Sequence, residues 1–368
     1  MTCSSLRTAA AANWTAEAMC QEYRSRSSIY HAERNLRRTV STVADSKPIL
    51  ITGAAGFIGR NIVAELNRRG EHNLILVDSL GTDEKWKNLV GLRYEDILSP
   101  EAFLDAIEDG CFAQARALIH MGACSATTER DADFLLRNNY RYTRSLCLWS
   151  LENDVRFVYA SSAATYGDGS KGYSDTDSIT PTLEPLNMYG YSKHMFDLWA
   201  IEHELFARIV GLKYFNVYGP YEDHKGDMRS VVCKSYEQIR DAGFVRLFKS
   251  YKPEYKDGEQ MRDFIYVKDA VDVTLHFAMQ PAGAPGGLFN CGTGEARTWV
   301  DLARSVFSAM HREPKIEFID MPESLQGKYQ YFTQSDASKL RAAGYTKPFT
   351  SLEDGARDYV TSYFERQR

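Results

Sequence analysis

The segment "MYGYSK" carries Tyr189 and Lys193 four residues apart. On a helix that spacing is one turn, so a phenol and an ammonium share a face. A tyrosine has a pKa of about 10, and an adjacent ammonium is expected to lower it toward the working range of a general acid or base. Ser162, in "RFVYASSAATYG", can hydrogen-bond the same substrate oxygen. Farther along, "FNVYGPYEDHKGDM" presents a second lysine, Lys225, beside Gly226, a residue that lets the backbone turn tightly. Lys225 could be a second proton carrier beside that pair; the plainer reading is that it only holds a phosphate or a cofactor amide.

These groups need a scaffold, and "KPILITGAAGFIGRNIVAELNRRGEHNLILVDSL" supplies its first part. "PILIT" is a short β-branched run that reads as a buried parallel strand. Gly53, Gly56 and Gly59 follow at intervals of three, then an amphipathic stretch closed by Gly70, then the strand "NLILVD" ending in Asp78. Glycine at those places permits a tight turn, close approach of backbone to a pyrophosphate, and close helix-to-strand packing. An acidic residue at the end of the second strand can bind an adenosine ribose hydroxyl. The spacing differs from G-x-G-x-x-G and points to the short-chain dehydrogenase/reductase type.

Further strands are expected at 117–123, 156–167 and 209–219, alternating with helices, and a helix at about 268–279. The fold class is thus α/β, a Rossmann-type doubly wound parallel sheet whose strand ends meet at one crevice. A net charge of −5 without basic runs argues against nucleic acid as a partner. No apolar stretch is long enough to span a membrane. The seven cysteines form no C-x-x-C pair, which suggests a reducing compartment and no zinc site. His120 is expected to be packed, and Cys124 and Cys291 to be small packing residues. Residues 1–46 hold six Arg and four acidic residues and no glycine turn. They read as a disordered or mis-started extension better than as a transit peptide, which would be poor in acids.

Together the glycine fingerprint, "SSAATYG", Tyr-x-x-x-Lys and "RDFIYVKD" resemble the extended short-chain dehydrogenases that rework nucleotide sugars. Over essentially all of residues 47–366 the chain is similar to the ADP-L-glycero-D-manno-heptose 6-epimerases. "HMGACSATTERDADFLLRNNY", "LNMYGYSKHMFD", "YFNVYGPYEDHKGDM" and "GKYQYFTQSDASKLRAAGYTKPF" carry that likeness, the last being distinctive.

The resemblance implies NADP, with NAD the alternative that Asp78 taken alone favours. It also implies an ADP-heptose substrate inverted at C6 for the lipopolysaccharide core, a cytoplasmic location and a closed homo-oligomeric ring, a pentamer among the forms. By match to the family, Phe57, Ile58, Asp78, Ser79, Lys85, Met121, Gly122, Ala123, Cys124, Ser125, Asn138, Lys193 and Val217 would line the cofactor. Asn216, Asp227, Lys234, Phe248, Arg262 and Tyr329, with Ser162, would hold the sugar nucleotide, and Tyr189 and Lys225 would carry catalysis. The implied division is a nucleotide-binding part at 47–216 with a return segment near 264–295, and a smaller C-terminal substrate-binding α/β domain at 217–263 and 296–368.

Some positions depart from the family pattern. Pro100 stands where some members have a cofactor-binding Lys, Asp227 replaces a small residue, Lys234 replaces a His, and "FKSYKPEYKDG" replaces a shorter loop. Two competing readings are an epimerase or dehydratase acting on another nucleotide sugar, and a non-catalytic cofactor-binding module. A dehydratase usually has an acid directly beside the Ser, and positions 163 and 164 are both Ala. A non-catalytic module need not keep Ser162, Tyr189 and Lys193 together.

Overall fold

A computed structural model describes residues 47–323 and 329–366; the expectation for residues 1–46 lies outside the described residues. β1 (Ile49–Thr52) is entirely buried, as an uninterrupted apolar run in a parallel sheet requires. α1 (Phe57–Arg68) buries Phe57, Gly59, Ile62, Val63 and Leu66, one helical stripe. Gly70 follows it at φ 84, the left-handed position that favours glycine after a helix. β2 (Leu74–Val77) and β3 (Asp96–Leu98) come next. Ser99 then caps α2 (Pro100–Glu108), with proline at the helix's first position.

β4 (Ala117–His120) leads to α3 (Ala132–Leu135), a wide π-type turn at Leu136–Arg141 and α4 (Tyr142–Glu152). β5 (Arg156–Ser162), α5 (Met188–Glu202) and β6 (Val210–Tyr214) complete the first half. There follow β7 (Asn216–Tyr218), α6 (Val231–Ala242), β8 (Val245–Phe248), β9 (Met261–Tyr266) and α7 (Val267–Ala278). The rest comprises β10 (Gly287–Cys291), β11 (Ala296–Thr298), α8 (Trp299–Ala309), β12 (Ile316–Ile319), α9 (Ser338–Ala342) and α10 (Leu352–Tyr359).

Seven parallel strands form the main sheet in the order β10-β6-β5-β4-β1-β2-β3. Alternate residues feed opposite faces. Leu50, Ile75, Leu118 and Phe157 pack with α2, α4 and α5, whereas Ile51, Leu76, Ile119 and Val158 pack with α1 and α7. Helices on both faces make this the doubly wound α/β fold expected. The strand order reverses between β1 and β4, where the carboxyl ends part and a ligand crevice belongs. Two small sheets accompany it, β11-β9-β7 and β12-β8.

Three strands expected from the sequence are shorter than expected. β4 ends at His120 and β5 at Ser162, because the small residues beyond each leave the sheet; Ala163–Tyr166 forms a tight helical turn instead. The run 209–219 is two strands, β6 in the main sheet and β7 beside β9.

Arg156 at the start of β5 is fully buried and donates to the carbonyls of Phe277, Arg208, Ala284 and Pro285 at 2.7–3.2 Å. It thereby joins the segments that bring β10 back to the sheet. Arg156→Met should lower the unfolding free energy by about 3 kcal/mol or more, since four carbonyls lose a charged donor. Urea unfolding midpoints at constant slope measure this.

Candidate functional site

The crevice is built from the ends of β1, β4 and β5. Gly53 has φ 66, and a Cβ there would stand 2.7 Å from the Gly122 nitrogen beyond β4. A Cβ on Gly59 would stand 2.1 Å from the Gly53 carbonyl oxygen, so α1 lies against its own entry loop only as glycine. Gly56 is the residue before α1, and no side chain caps the helix. The first turn of α1, at Phe57 and Ile58, thus begins without a capping side chain, which fits a pyrophosphate.

Asp78 is not a free acceptor, in contrast to the simplest expectation. One oxygen accepts the Ala55 N–H at 2.8 Å and the other pairs with Lys85 Nζ at 2.5 Å, while Lys85 also donates to the Ser79 carbonyl at 3.1 Å. The pair braces the glycine loop and places an ammonium beside the acid.

Beyond β4, Met121, Gly122, Ala123, Cys124 and Ser125 run along the crevice. Gly122 N–H donates to Thr52 Oγ1 at 3.1 Å. His120 behind them is packed, as expected. Its ring nitrogens meet Thr52 and Thr143 hydroxyls at 2.6 and 2.8 Å, and burial holds its pKa well below the usual value. Cys291 is fully buried, and burial raises its thiol far above the usual range. Among the described residues the cysteines are unpaired, and no cluster of His, Cys, Asp and Glu could hold a metal.

Asn187 caps α5, its side chain accepting the Gly190 N–H at 2.8 Å. A Cβ on Gly190 would meet the Ala164 carbonyl at 2.8 Å, so glycine lets α5 lie on the turn after Ser162. That contact brings Ser162 close to Tyr189, where its hydroxyl favours the ionised phenol. Lys193 reaches back to the Ala160 carbonyl of β5 at 2.8 Å. The expected lowering of the Tyr189 pKa is not found. Burial raises it, with the nearby Ser162 hydroxyl opposing, and Lys193 acts on β5 rather than on the phenol. Burial likewise lowers Lys193, to about 8, against the attraction of Asp197.

Residues that spacing did not single out hold this helix. Asn139, fully buried in the π-type turn, accepts the Cys124 N–H at 2.9 Å and donates to the Cys124 carbonyl and to Ser192 Oγ at 3.0 Å. Ser192 in turn donates to the Tyr189 carbonyl at 2.7 Å. Asn138, expected at the cofactor, donates to Asn139 at 3.0 Å. One turn after Lys193, Asp197 accepts from Tyr159 at 2.6 Å and Ser161 at 2.7 Å, and faces Lys213 Nζ at 3.5 Å, with both charged side chains fully buried. The only signal available was an acid four residues after the lysine.

Lys225 lies in a turn docked along α1. Its Nζ is 5.1 Å from the centre of the Phe57 ring, Arg60 covers Tyr221 at 3.3 Å, and Asn61 donates to the Pro220 carbonyl at 3.1 Å. Asn88 ties the glycine loop to the same turn, donating to the Ala55 carbonyl at 2.8 Å and meeting His224 at 3.0 Å. Gly226 has φ 52, as the tight turn requires. Burial lowers the Lys225 pKa while Glu222 opposes.

Arg262 on β9 is buried, and the hydrogen bond shown for its side chain is to its own neighbour's carbonyl, that of Met261, at 2.8 Å. It lies over the rings of Tyr329 at 5.0 Å and Trp299 at 5.6 Å, while the Trp299 indole donates to the Tyr329 hydroxyl at 2.7 Å. A guanidinium set among aromatic rings, with no carboxylate partner among the described residues, suits an anionic ligand. Phe248 ends β8, Asn216 is exposed at the start of β7, and Val217 is half-buried beside it.

The family described as NAD dependent epimerase/dehydratase matches residues 49–292. The ADP-L-glycero-D-manno-heptose-6-epimerase of Nitratidesulfovibrio vulgaris is 56% identical over 315 residues, 85% of this chain and 97% of that one. The chain belongs to this epimerase family. The Fusobacterium nucleatum member is 45% identical over 87% of this chain and 98% of its own. The crystal structure of the Helicobacter pylori ADP-L-glycero-D-manno-heptose-6-epimerase has 26% identity and a TM-score of 0.73, covering 86% of this chain and 96% of that one.

Of the departures from the family pattern, Pro100 opens α2, and the Lys234 ammonium donates to the backbone carbonyl of Asp227 at 2.6 Å.

Lys193 is about 8 in the fold and about 10.4 when unfolded, so between those values the unfolded chain binds more protons and stability rises with pH. Relative to Lys193→Met, the protein should gain about 2–3 kcal/mol from pH 8 to 10.5. Urea titrations of both forms across that range check it.

Proposed function

We propose that the enzyme interconverts ADP-D-glycero-D-manno-heptose and its L-glycero epimer at C6, as the names of its 45–56% identical relatives suggest. The observation that carries the reading is the docking of the Lys225 turn on α1, so that one helix serves both the nucleotide site and a second acid–base group. Held along the glycine turn of Gly53, Gly56 and Gly59, a nicotinamide cofactor would supply removal of a hydride at C6 and its return to the opposite face of that carbon. Tyr189, beside Ser162, takes the hydroxyl proton in one sugar orientation as its phenolate, the form that the Ser162 hydroxyl favours and that the positive charge of an oxidised nicotinamide would favour further. Lys225 Nζ gives a proton to the oxygen in the other, and solvent resets both groups. Lys193 holds the end of β5 against α5. Arg262 and Tyr329 bind the diphosphate side of the substrate, with Asn216, Asp227, Lys234 and Phe248 around the sugar nucleotide.

The small sheets and α6, α8 and α10 form the substrate half, at 217–263 and 296–368, and the main sheet forms the nucleotide half. NADP is the preferred cofactor, because Lys85 both neutralises Asp78 and offers an ammonium to a 2′-phosphate. The reaction places the enzyme in the cytoplasm, making a lipopolysaccharide core precursor, and a closed homo-oligomer is the assembly the resemblance supports. Among the described residues no helix is long and apolar enough to cross a membrane.

Purified protein should release NADP on denaturation, and Lys85→Ala should weaken NADP about tenfold relative to NAD in equilibrium titrations. Lys225→Met and Tyr189→Phe should each fold, keep the nucleotide and lose epimerisation by about 100-fold or more. Either variant within about tenfold of wild type, a barrier change of only about 1.4 kcal/mol, contradicts the two-carrier reading.

A further inference from the structure

Glu222 is a fully buried carboxylate three residues before Lys225, and the mechanism above does not use it. Its Oε1 accepts from the Ser230 hydroxyl at 2.5 Å and from the Tyr359 hydroxyl at 3.2 Å, and its Oε2 accepts the Ser230 N–H at 2.5 Å. Ser230 caps α6, and Tyr359 is the last residue of α10. The Glu222 carbonyl accepts the Lys225 N–H at 3.0 Å, which closes the turn carrying that lysine. The flanking residues are held as well. Tyr221 lies between Arg60 at 3.3 Å and the Tyr363 ring at 4.8 Å, and the Tyr363 hydroxyl donates to Asp223. Three consecutive residues are thus anchored to α1, α6 and the C-terminal helix immediately before the turn that presents Lys225.

We infer that Glu222 is the positioning residue of Lys225: pinned between the cap of α6 and Tyr359 of α10, it fixes the 223–228 turn and sets a negative charge against the Lys225 ammonium. A buried carboxylate persists only where donors or a cation compensate it. Burial raises the Glu222 pKa, and the three donors and the Lys225 charge oppose that rise and favour its ionised form. The attraction is reciprocal and opposes the effect of burial on Lys225.

The other titratable groups around Lys225 respond less near neutral pH. The Cys233 thiol on α6 is pushed up to about 12 by burial, and Tyr359 lies far above the usual range. His224 is pushed down by burial and by Lys85 and Lys225, with Asp83 and Asp223 opposing. Arg229 and Glu237 are paired with each other at 2.6 Å. Glu222 is therefore the charge whose removal Lys225 should register.

This inference rests on Lys225 being a proton carrier, and the experiment separates the two. The pH dependence of kcat and KM for epimerisation is measured on the holoenzyme for wild type, Glu222→Gln, Ser230→Ala and Lys225→Met. Glu222→Gln should keep its nucleotide and a KM within about twofold, lose about tenfold or more in kcat, and move the alkaline limb down by about one pH unit. Ser230→Ala keeps the charge and loosens its hold, so kcat should fall with the limb unmoved. An alkaline limb in Glu222→Gln that coincides with wild type overturns the inference. So does a Ser230→Ala enzyme with unchanged kcat, which also serves if Glu222→Gln does not fold. Epimerisation retained by Lys225→Met would instead remove the proton-carrier role itself, whatever Glu222→Gln shows.

Discussion

The approach of α1 to its own entry loop is the constraint on which the rest of the site depends. Any Cβ at position 59 would overlap the Gly53 carbonyl, and one at 53 would overlap the backbone beyond β4. Glycine at both lets the helix begin close to the carboxyl end of β1, with no side chain capping its first N–H groups. The same helix then fixes the opposite wall, because Phe57, Arg60 and Asn61 successively contact Lys225, Tyr221 and Pro220. Shifting α1 would move the anion site and the Lys225 turn together.

The Tyr189 side of the crevice is set from beneath by buried polar groups. Asn139 joins the Cys124 loop to Ser192, and Ser192 joins the carbonyl of Tyr189. Asp197 collects Tyr159, Ser161 and Lys213 in a region with no exposed surface. A buried ion pair is a poor source of stability against an apolar replacement of equal volume, but losing one partner leaves an uncompensated charge. Its value here is geometric: β5, β6 and α5 are held in one arrangement, and Lys193 lies one turn from Asp197. Burial, rather than a neighbouring cation, sets the resting ionisation of Tyr189 and Lys193. Burial thus moves Lys193 toward neutrality while keeping the Tyr189 phenol protonated, and a bound ligand meets side chains already stripped of water.

What was legible in the sequence was what short spacing encodes. The glycine triplet, the Tyr-x-x-x-Lys turn, the α/β alternation and the turn at Gly226 each reside within a few consecutive residues, where backbone geometry follows from residue type. Strand ends extend too far in the sequence reading, because Ala-Ala-Thr after β5 suits both an extended strand and the tight turn it forms. Asp78 read as an open acceptor, since nothing local announces that Lys85 folds back onto it. Asn139, Asp197 and Glu222 were missed for a related reason. Each acts partly through partners far along the chain, Tyr359 in the case of Glu222, and such pairing depends on the tertiary fold rather than on local pattern.

The central claim is that a cofactor-held hydride leaves and returns to the same carbon while chain residues handle only the oxygen's proton. Substrate carrying deuterium at C6 and incubated in ordinary water tests this most directly. The account predicts that the epimerised product retains the deuterium at C6, with no crossover to unlabelled substrate in the same mixture. Loss of the label to solvent in step with epimerisation would mean that the C6 hydrogen leaves as a proton, and would contradict it.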